Sequence, residues 1–119
     1  AMAHSHLAYY RAMEQDGYLK ILKNKQDLTN HFTNYLNLTE QSPLGIIITM
    51  EGADPLLSPE TIFEFHKAGL RALGLTHYGC NRYGGGTRSE VGFSLDAEPL
   101  LKHCEQLGIT IHMTHLSDV

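Results

Sequence analysis

The apolar and polar positions divide the chain into two stretches of different character. In the first, Leu7, Tyr10 and Met13 fall three apart and predict a helix over residues 6–15, which Gly17 ends. Residues 18–22 (YLKIL) alternate weakly and predict a short strand. A second amphipathic helix opens at Asp27-Leu28-Thr29, with Leu28, Phe32 and Tyr35 at roughly helical spacing. Residues 34–43 read as a polar loop.

From Leu44 the pattern changes. LGIIITM at 44–50 is a continuous apolar, β-branched run, the kind buried on both faces of a parallel sheet covered by helices. It runs into Glu51-Gly52-Ala53-Asp54-Pro55. Ser58-Pro59-Glu60 then predicts a helix start, with an N-cap serine, a proline at the first helical position and an early acid. Ile62, Phe63, Phe65 and Leu70 supply the buried side, and Gly69 is placed as a C-cap. Residues 71–76 (RALGLT) predict the next strand, with His77 at its end. A long loop, 78–94, holds Gly84-Gly85-Gly86. Asp96 is placed to cap a further helix, with Pro99 in the first turn and an apolar stripe of Leu100, Leu101, Cys104 and Leu107. Gly108 stops it, and residues 109–115 (ITIHMTH) predict a third strand.

From residue 44 the order is therefore strand, helix, strand, long loop, helix, strand. Short buried strands alternating with helices imply a right-handed parallel α/β arrangement. We expect two parts: residues 1–43 as a mostly helical scaffold, and residues 44–119 as a βαβαβ segment that carries the chemistry.

Composition adds limits. A hydrophobic content of 42% in 119 residues is enough for a core, and 18% charged residues do not describe a disordered chain. The net charge of −4 disfavours nucleic acid as a partner, because phosphate binding needs a basic face. No apolar run is long enough for a membrane-spanning helix. The first ten residues lack the basic-then-apolar layout of a signal peptide, so a cytoplasmic location is expected. Ala1-Met2-Ala3 is set aside from the fold. Cys80 and Cys104 form no CxxC pair and read as reduced, partly buried thiols.

Eight histidines are many for this length, and position must sort them. In parallel α/β folds, ligands bind beyond the carboxyl ends of the strands. Glu51, His77 and His115 each follow or end a predicted strand, so the topology gathers them on one face. A carboxylate and two imidazoles suit zinc or a similar divalent ion. The competing reading is a helix-capping carboxylate and two half-exposed histidines. His112 and His115 spell HxxH, but alternation along a strand would point them to opposite faces. His115, at the strand end, is then the ligand candidate, and His112 is packed or lies one layer behind. His4-Ser5-His6 spells HxH, but no apolar strand precedes it, so it reads as a mobile leader. His31, His66 and His103 sit inside amphipathic helices and read as ordinary helix positions. Gly84-Gly85-Gly86 lacks the spacing of phosphate-binding loops and reads as glycine-rich flexibility.

Glu51-Gly52, then Leu75-Thr76-His77 with Asn81, then Gly92-Phe93-Ser94, then Leu107-Gly108 and Thr114-His115-Leu116-Ser117 stand in a specific order and spacing. In these motifs the chain resembles the membrane (renal-type) dipeptidases, the M19-type metallopeptidases of the amidohydrolase superfamily. The Asn81-Arg82-Tyr83-Gly84-Gly85-Gly86-Thr87 stretch resembles the loop of bacterial members. The resemblance covers residues 45–119. It implies a (β/α)8 barrel of which this chain forms part without closing it; a barrel takes about 250 residues, and at roughly 30 per repeat the chain holds three or four. It implies two metal ions, usually zinc, and hydrolysis of dipeptides by a metal-activated water. Carried over, Glu51 resembles the carboxylate that bridges both metals, His115 a ligand of one metal, and His77 the histidine that contacts the substrate and steadies the tetrahedral intermediate. The family's HxD pair on the first strand is absent here, and its second histidine for the His115 metal and its proton-handling aspartate would lie beyond Val119. Where members often carry aspartate three residues before the ligand histidine, this chain has His112.

The expectation is an internal piece of a metal-dependent dipeptidase, inactive as the isolated chain. A non-catalytic α/β binding or assembly module that kept the scaffold is the alternative. Exposed sheet edges and apolar surface predict self-association.

Overall fold

The computed structural model describes residues 2–34 and 37–119. They fall into two compact units, Ala1–Ile48 and Thr49–Val119.

In the first unit, helix α1 runs Met2–Gln15. It begins earlier than the apolar stripe predicts, so His4-Ser5-His6 is helical and not a mobile leader. No glycine or proline precedes Gly17, and nothing in MAHSHL stops the helix from running back over it. Gly17 adopts φ 80, which reverses the chain into strand β1, Leu19–Ile21. The Glu14 carboxylate accepts a hydrogen bond from the Ile21 amide at 2.8 Å and ties α1 to β1. Helix α2, Lys25–Thr33, is capped by Asn24, whose side chain accepts from the Asp27 amide at 2.8 Å. Phe32 is exposed, so the predicted apolar side of α2 is not a buried one, and Tyr35 lies outside the described residues. Strand β2, Leu44–Ile46, pairs in parallel with β1, Leu19 opposite Leu44.

The LGIIITM run does not form one strand buried on both faces. It divides at Ile47: β2 ends at Ile46, and strand β3, Ile48–Glu51, belongs to a different sheet. Leu44 and Ile47 are 68% and 52% exposed. An apolar run is buried on both sides only where layers cover both sides, and Leu44 and Ile47 are left exposed while Ile48 is buried.

The second unit holds a sheet whose strands lie in the order β3, β4 (Leu70–Gly74) and β5 (Thr110–Ile111). After β3, Ser58 starts a 3-10 turn, Pro59–Thr61, with a capping box to Thr61. Helix α3, Ile62–Ala68, follows and ends at Gly69 with φ 117. Strand β4, Leu70–Gly74, lies beside β3, and just past β3 the amides of Gly52 and Ala53 donate to the carbonyls of Gly74 and Leu75 at 3.1 and 2.9 Å. Helix α4, Ala97–Leu107, ends at Gly108 with φ 66. Strand β5 is parallel to β4, Ala72 opposite Thr110. The core is made by Leu56, Ile62, Phe65, Leu70, Leu73, Leu75, Leu100 and Cys104, so α3 and α4 bury the sides predicted for them. The exceptions are Phe63, at 37% exposed, and Leu101 and Leu107, which are half-buried.

Strand β5 covers Thr110–Ile111 alone, not residues 109–115. The His112 amide still reaches the Leu73 carbonyl at 3.0 Å, but the chain then turns, the Leu116 amide donating to the Met113 carbonyl at 3.2 Å. The cysteines differ from each other. Cys80 is exposed, whereas Cys104 is fully buried and burial pushes its thiol up to about 11. Among the described residues no helix is long and apolar enough to cross a membrane.

Candidate metal centre

Three segments deliver the predicted site residues to one place. Glu51 ends β3, and Gly52 turns the chain behind it with φ 84. Leu75 and Thr76, both buried, extend β4 and lead to His77. His115 lies in the turn after β5 with φ 68, a left-handed conformation that costs a non-glycine residue roughly 1–2 kcal/mol. Thr76 holds that turn: its hydroxyl donates to the His115 carbonyl at 3.1 Å across 39 residues of sequence. The threonine is wholly buried and the bond part-buried, which lowers the competition from water.

One ligand atom from each of Glu51, His77 and His115 lies within 4.8 Å of the other two. This is the one such group of three or more among the described residues. Glu51 Oε1 and His115 Nε2 are 3.2 Å apart. Two ligands of a tetrahedral zinc sit roughly 3.4 Å apart when each bond is near 2.1 Å. The residues therefore fit a divalent ion with small side-chain adjustments. The His115 ring is fixed from its other nitrogen, Nδ1, which is 3.2 Å from the Thr87 hydroxyl. A proton on Nδ1, donated to Thr87, leaves the Nε2 lone pair facing Glu51, as metal-binding histidines require. His77 packs edge-on against His115, ring centres 4.5 Å apart at 90°.

The glycine-rich loop is not a flexible one. Gly84, Gly85 and Gly86 are all buried. A β-carbon on Gly86 would overlap the His77 carbonyl oxygen, and one on Gly85 would overlap the Val91 carbonyl oxygen. The loop lies against the His77 segment on one side, where the amides of Thr87 and Arg88 donate to the carbonyls of His77 and Tyr78 at 3.1 and 2.9 Å. On the other side, Gly86 bridges Leu116, and the Ser117 amide donates to the Gly85 carbonyl at 3.2 Å. The glycines allow close backbone approach, and that approach joins the His77 and His115 turns. Asn81 anchors the start of the loop, donating to the Leu75 carbonyl at 2.7 Å and the Asp54 carboxylate at 3.2 Å. Tyr83 anchors it further: its buried hydroxyl donates to the Leu56 carbonyl at 2.7 Å.

His112 packs instead on Gly74, where an added β-carbon would lie 3.0 Å from its ring. Its Nε2 is buried without a hydrogen-bond partner among the described residues. The strand-alternation argument against an HxxH pair does not reach His115, because β5 ends first; the turn separates their roles. His103 lies 4.0 Å from Glu60, and His31 lies beside Gly45; neither joins the cluster.

Sequence reasoning passed over Tyr78, Thr87 and Arg88. Tyr78 stacks at 4.3 Å on His77 and 5.1 Å on His115, and Arg88 lies over the Tyr78 ring at 4.9 Å. The one signal for them was their place in the loop that follows a strand-end histidine.

A carboxylate and two imidazoles beyond the carboxyl ends of parallel strands form a donor set that could hold a divalent ion, on a fold of the α/β class. The chain belongs to the membrane dipeptidase family (peptidase family M19), which it matches over residues 6–119. The match reaches back over α1, β1 and α2, beyond the stretch in which the motifs lie. No curated protein matches the chain. Among solved structures it is similar to an amidohydrolase from Pseudomonas aeruginosa, with 16% identity and a TM-score of 0.76, over 92% of this chain and 32% of that one. It is also similar to a metallopeptidase from Rhodobacter sphaeroides liganded with a phosphinate mimic of the dipeptide L-Ala-D-Ala, with 21% identity and a TM-score of 0.75, over 97% of this chain and 33% of that one. The chain thus spans about a third of the length of either structure. Its fold is that of parallel βα units forming part of a (β/α)8-type barrel, with no closed barrel among the described residues.

Proposed function

We propose that the chain carries part of the active site of a metal-dependent dipeptidase. The observation that carries this reading is the convergence of Glu51, His77 and His115 in a member of this peptidase family. The dipeptide mimic bound by the Rhodobacter sphaeroides metallopeptidase supports a dipeptide as the substrate class. Glu51 and His115 would hold the metal, for which zinc suits the donor set. When bound, the metal lowers the pKa of a water and polarises the scissile carbonyl. Glu51 offers a second carboxylate oxygen, which suits it to bridge two ions. His115 presents Nε2 because Thr87 occupies Nδ1. His77, held between His115 and Tyr78, would contact the substrate and donate a hydrogen bond to the oxygen on which negative charge develops.

A two-ion site needs more donors than the three that converge here. The isolated chain should therefore bind zinc yet turn over L-Ala-D-Ala no faster than buffer. Calorimetric zinc titration and a ninhydrin assay check the two halves. A chain that takes up no zinc would favour the non-catalytic module, which needs the scaffold alone; zinc-dependent turnover would refute the inactivity.

Self-association is supported by the exposure of large apolar side chains, Phe93 at 61% and Leu95 at 96%. Light scattering should show a mass that rises with concentration, and a monodisperse monomer would contradict it.

A further inference from the structure

Building on the metal-centre reading, we propose that Thr76 is a positioning residue for the metal. By holding the His115 carbonyl it keeps His115 in its left-handed conformation and so aims the imidazole at Glu51.

Among the described residues, His115 is the one non-glycine residue with a positive φ. Such a conformation persists in an L-residue only where its surroundings hold it. The segments on either side are fixed by other bonds: the His112 amide to the Leu73 carbonyl before it, and the bridge from Gly86 to Leu116 after it. The hydrogen bond to the His115 carbonyl itself comes from the Thr76 hydroxyl at 3.1 Å. Thr76 is wholly buried. Valine would fill the same volume with no polar atom to satisfy, so what the hydroxyl adds at this position is the bond. The next residue, His77, packs its ring edge-on against the His115 ring, centres 4.5 Å apart. The Thr76-His77 pair therefore grips His115 twice, by its backbone and by its ring. Released from the first grip, His115 should relax to a negative φ. That re-aims its Cα–Cβ bond and takes Nε2 from its place 3.2 Å from Glu51 Oε1.

The test compares the wild-type chain with Thr76→Ser and Thr76→Val by two readouts. One is zinc affinity by calorimetry. The other, on the metal-free chain, is the Overhauser effect between the amide and α-protons of His115, which is strong in a left-handed residue. Thr76→Val keeps the shape and loses the hydroxyl. It should bind zinc about tenfold more weakly, the low end of what outer partners of metal ligands contribute, and its Overhauser effect should weaken. Thr76→Ser keeps the hydroxyl and loses a methyl group, and should stay close to wild type in both readouts. A packing role predicts the reverse order, with valine harmless and serine costly. Should Thr76→Val not fold, Thr76→Ala set against Thr76→Ser makes the same comparison, because those two differ by the hydroxyl alone. Zinc affinity unchanged by loss of the hydroxyl overturns the proposal, and so does a His115 that stays left-handed without it; zinc uptake by the wild type then leaves the metal centre standing. A wild-type chain that takes up no zinc overturns the metal centre and this proposal with it.

Discussion

Replacing Glu51 with glutamine should lower the zinc affinity of the chain by more than the roughly 10- to 100-fold that loss of an outer hydrogen bond to a metal ligand costs. The amide keeps the shape of the side chain but gives up the charge, and a neutral oxygen is a poor partner for a dication. His115→Ala should cost a similar amount, since its Nε2 lies 3.2 Å from Glu51 Oε1 and the two form the close edge of the cluster. Thr87→Ala should lie in the smaller range, because Thr87 acts by steadying His115 through Nδ1. His77→Ala is the informative variant. If His77 contacts substrate and not metal, zinc affinity should survive its removal nearly intact, while binding of a dipeptide analogue is lost. A loss equal to that of Glu51→Gln would make His77 a ligand and the triad a single-ion site. Circular dichroism separates both outcomes from unfolding, and Glu51 and His77 are exposed, so neither substitution opens a core cavity. Unchanged zinc binding in Glu51→Gln would remove the metal centre from this reading altogether.

The sequence pattern made the order of elements legible from Leu44 onward, and the reason is local. Ser58 with Pro59, Gly69 and Gly108 mark helix ends by chemistry that operates within a few residues; Asp96 also stands at a helix start, but its side chain makes no capping hydrogen bond and pairs with Arg82 instead. The convergence of Glu51, His77 and His115 was legible for a topological reason, since parallel strands leave their carboxyl ends on one side. What was not legible depends on long-range contacts. The division of the 44–50 run at Ile47 follows from which strands each half pairs with, β1 for one and β4 for the other, and hydrophobicity does not encode pairing partners. The early end of β5 follows from the bond between Thr76 and the His115 carbonyl, which holds a left-handed turn where the apolar alternation suggests a strand. The role of the glycine triplet was hidden because glycine serves two opposite purposes, freedom and close approach, and the sequence alone does not say which carbonyl lies opposite.

That distinction carries the second large effect. Gly86→Ala should destabilise the chain by about 3 kcal/mol, at the upper end of what overpacking costs, and should weaken zinc binding at the same time. Gly86 does not have a positive φ, so the backbone conformation itself tolerates alanine. The obstacle is space: the added carbon would overlap the His77 carbonyl oxygen and lie 2.7 Å from that of Gly79. Both are backbone atoms, which cannot swing aside as a side-chain end can. Relief must come from moving the 84–87 segment away from His77. That movement breaks the hydrogen bond from the Thr87 amide to the His77 carbonyl and disturbs the bridge from Gly86 to Leu116, the residue after His115. Urea unfolding of the metal-free chain reads the stability loss, and zinc titration under native conditions reads the loosening of the site. Gly79→Ala is the control. Gly79 lies in the same loop and is exposed, and a methyl group added there would meet nothing within 4 Å, so its replacement should change stability by less than about 0.5 kcal/mol. If Gly86→Ala behaves like this control, the triplet serves flexibility after all. If it costs stability but leaves zinc affinity untouched, the loop supports the fold without holding His77 and His115 together.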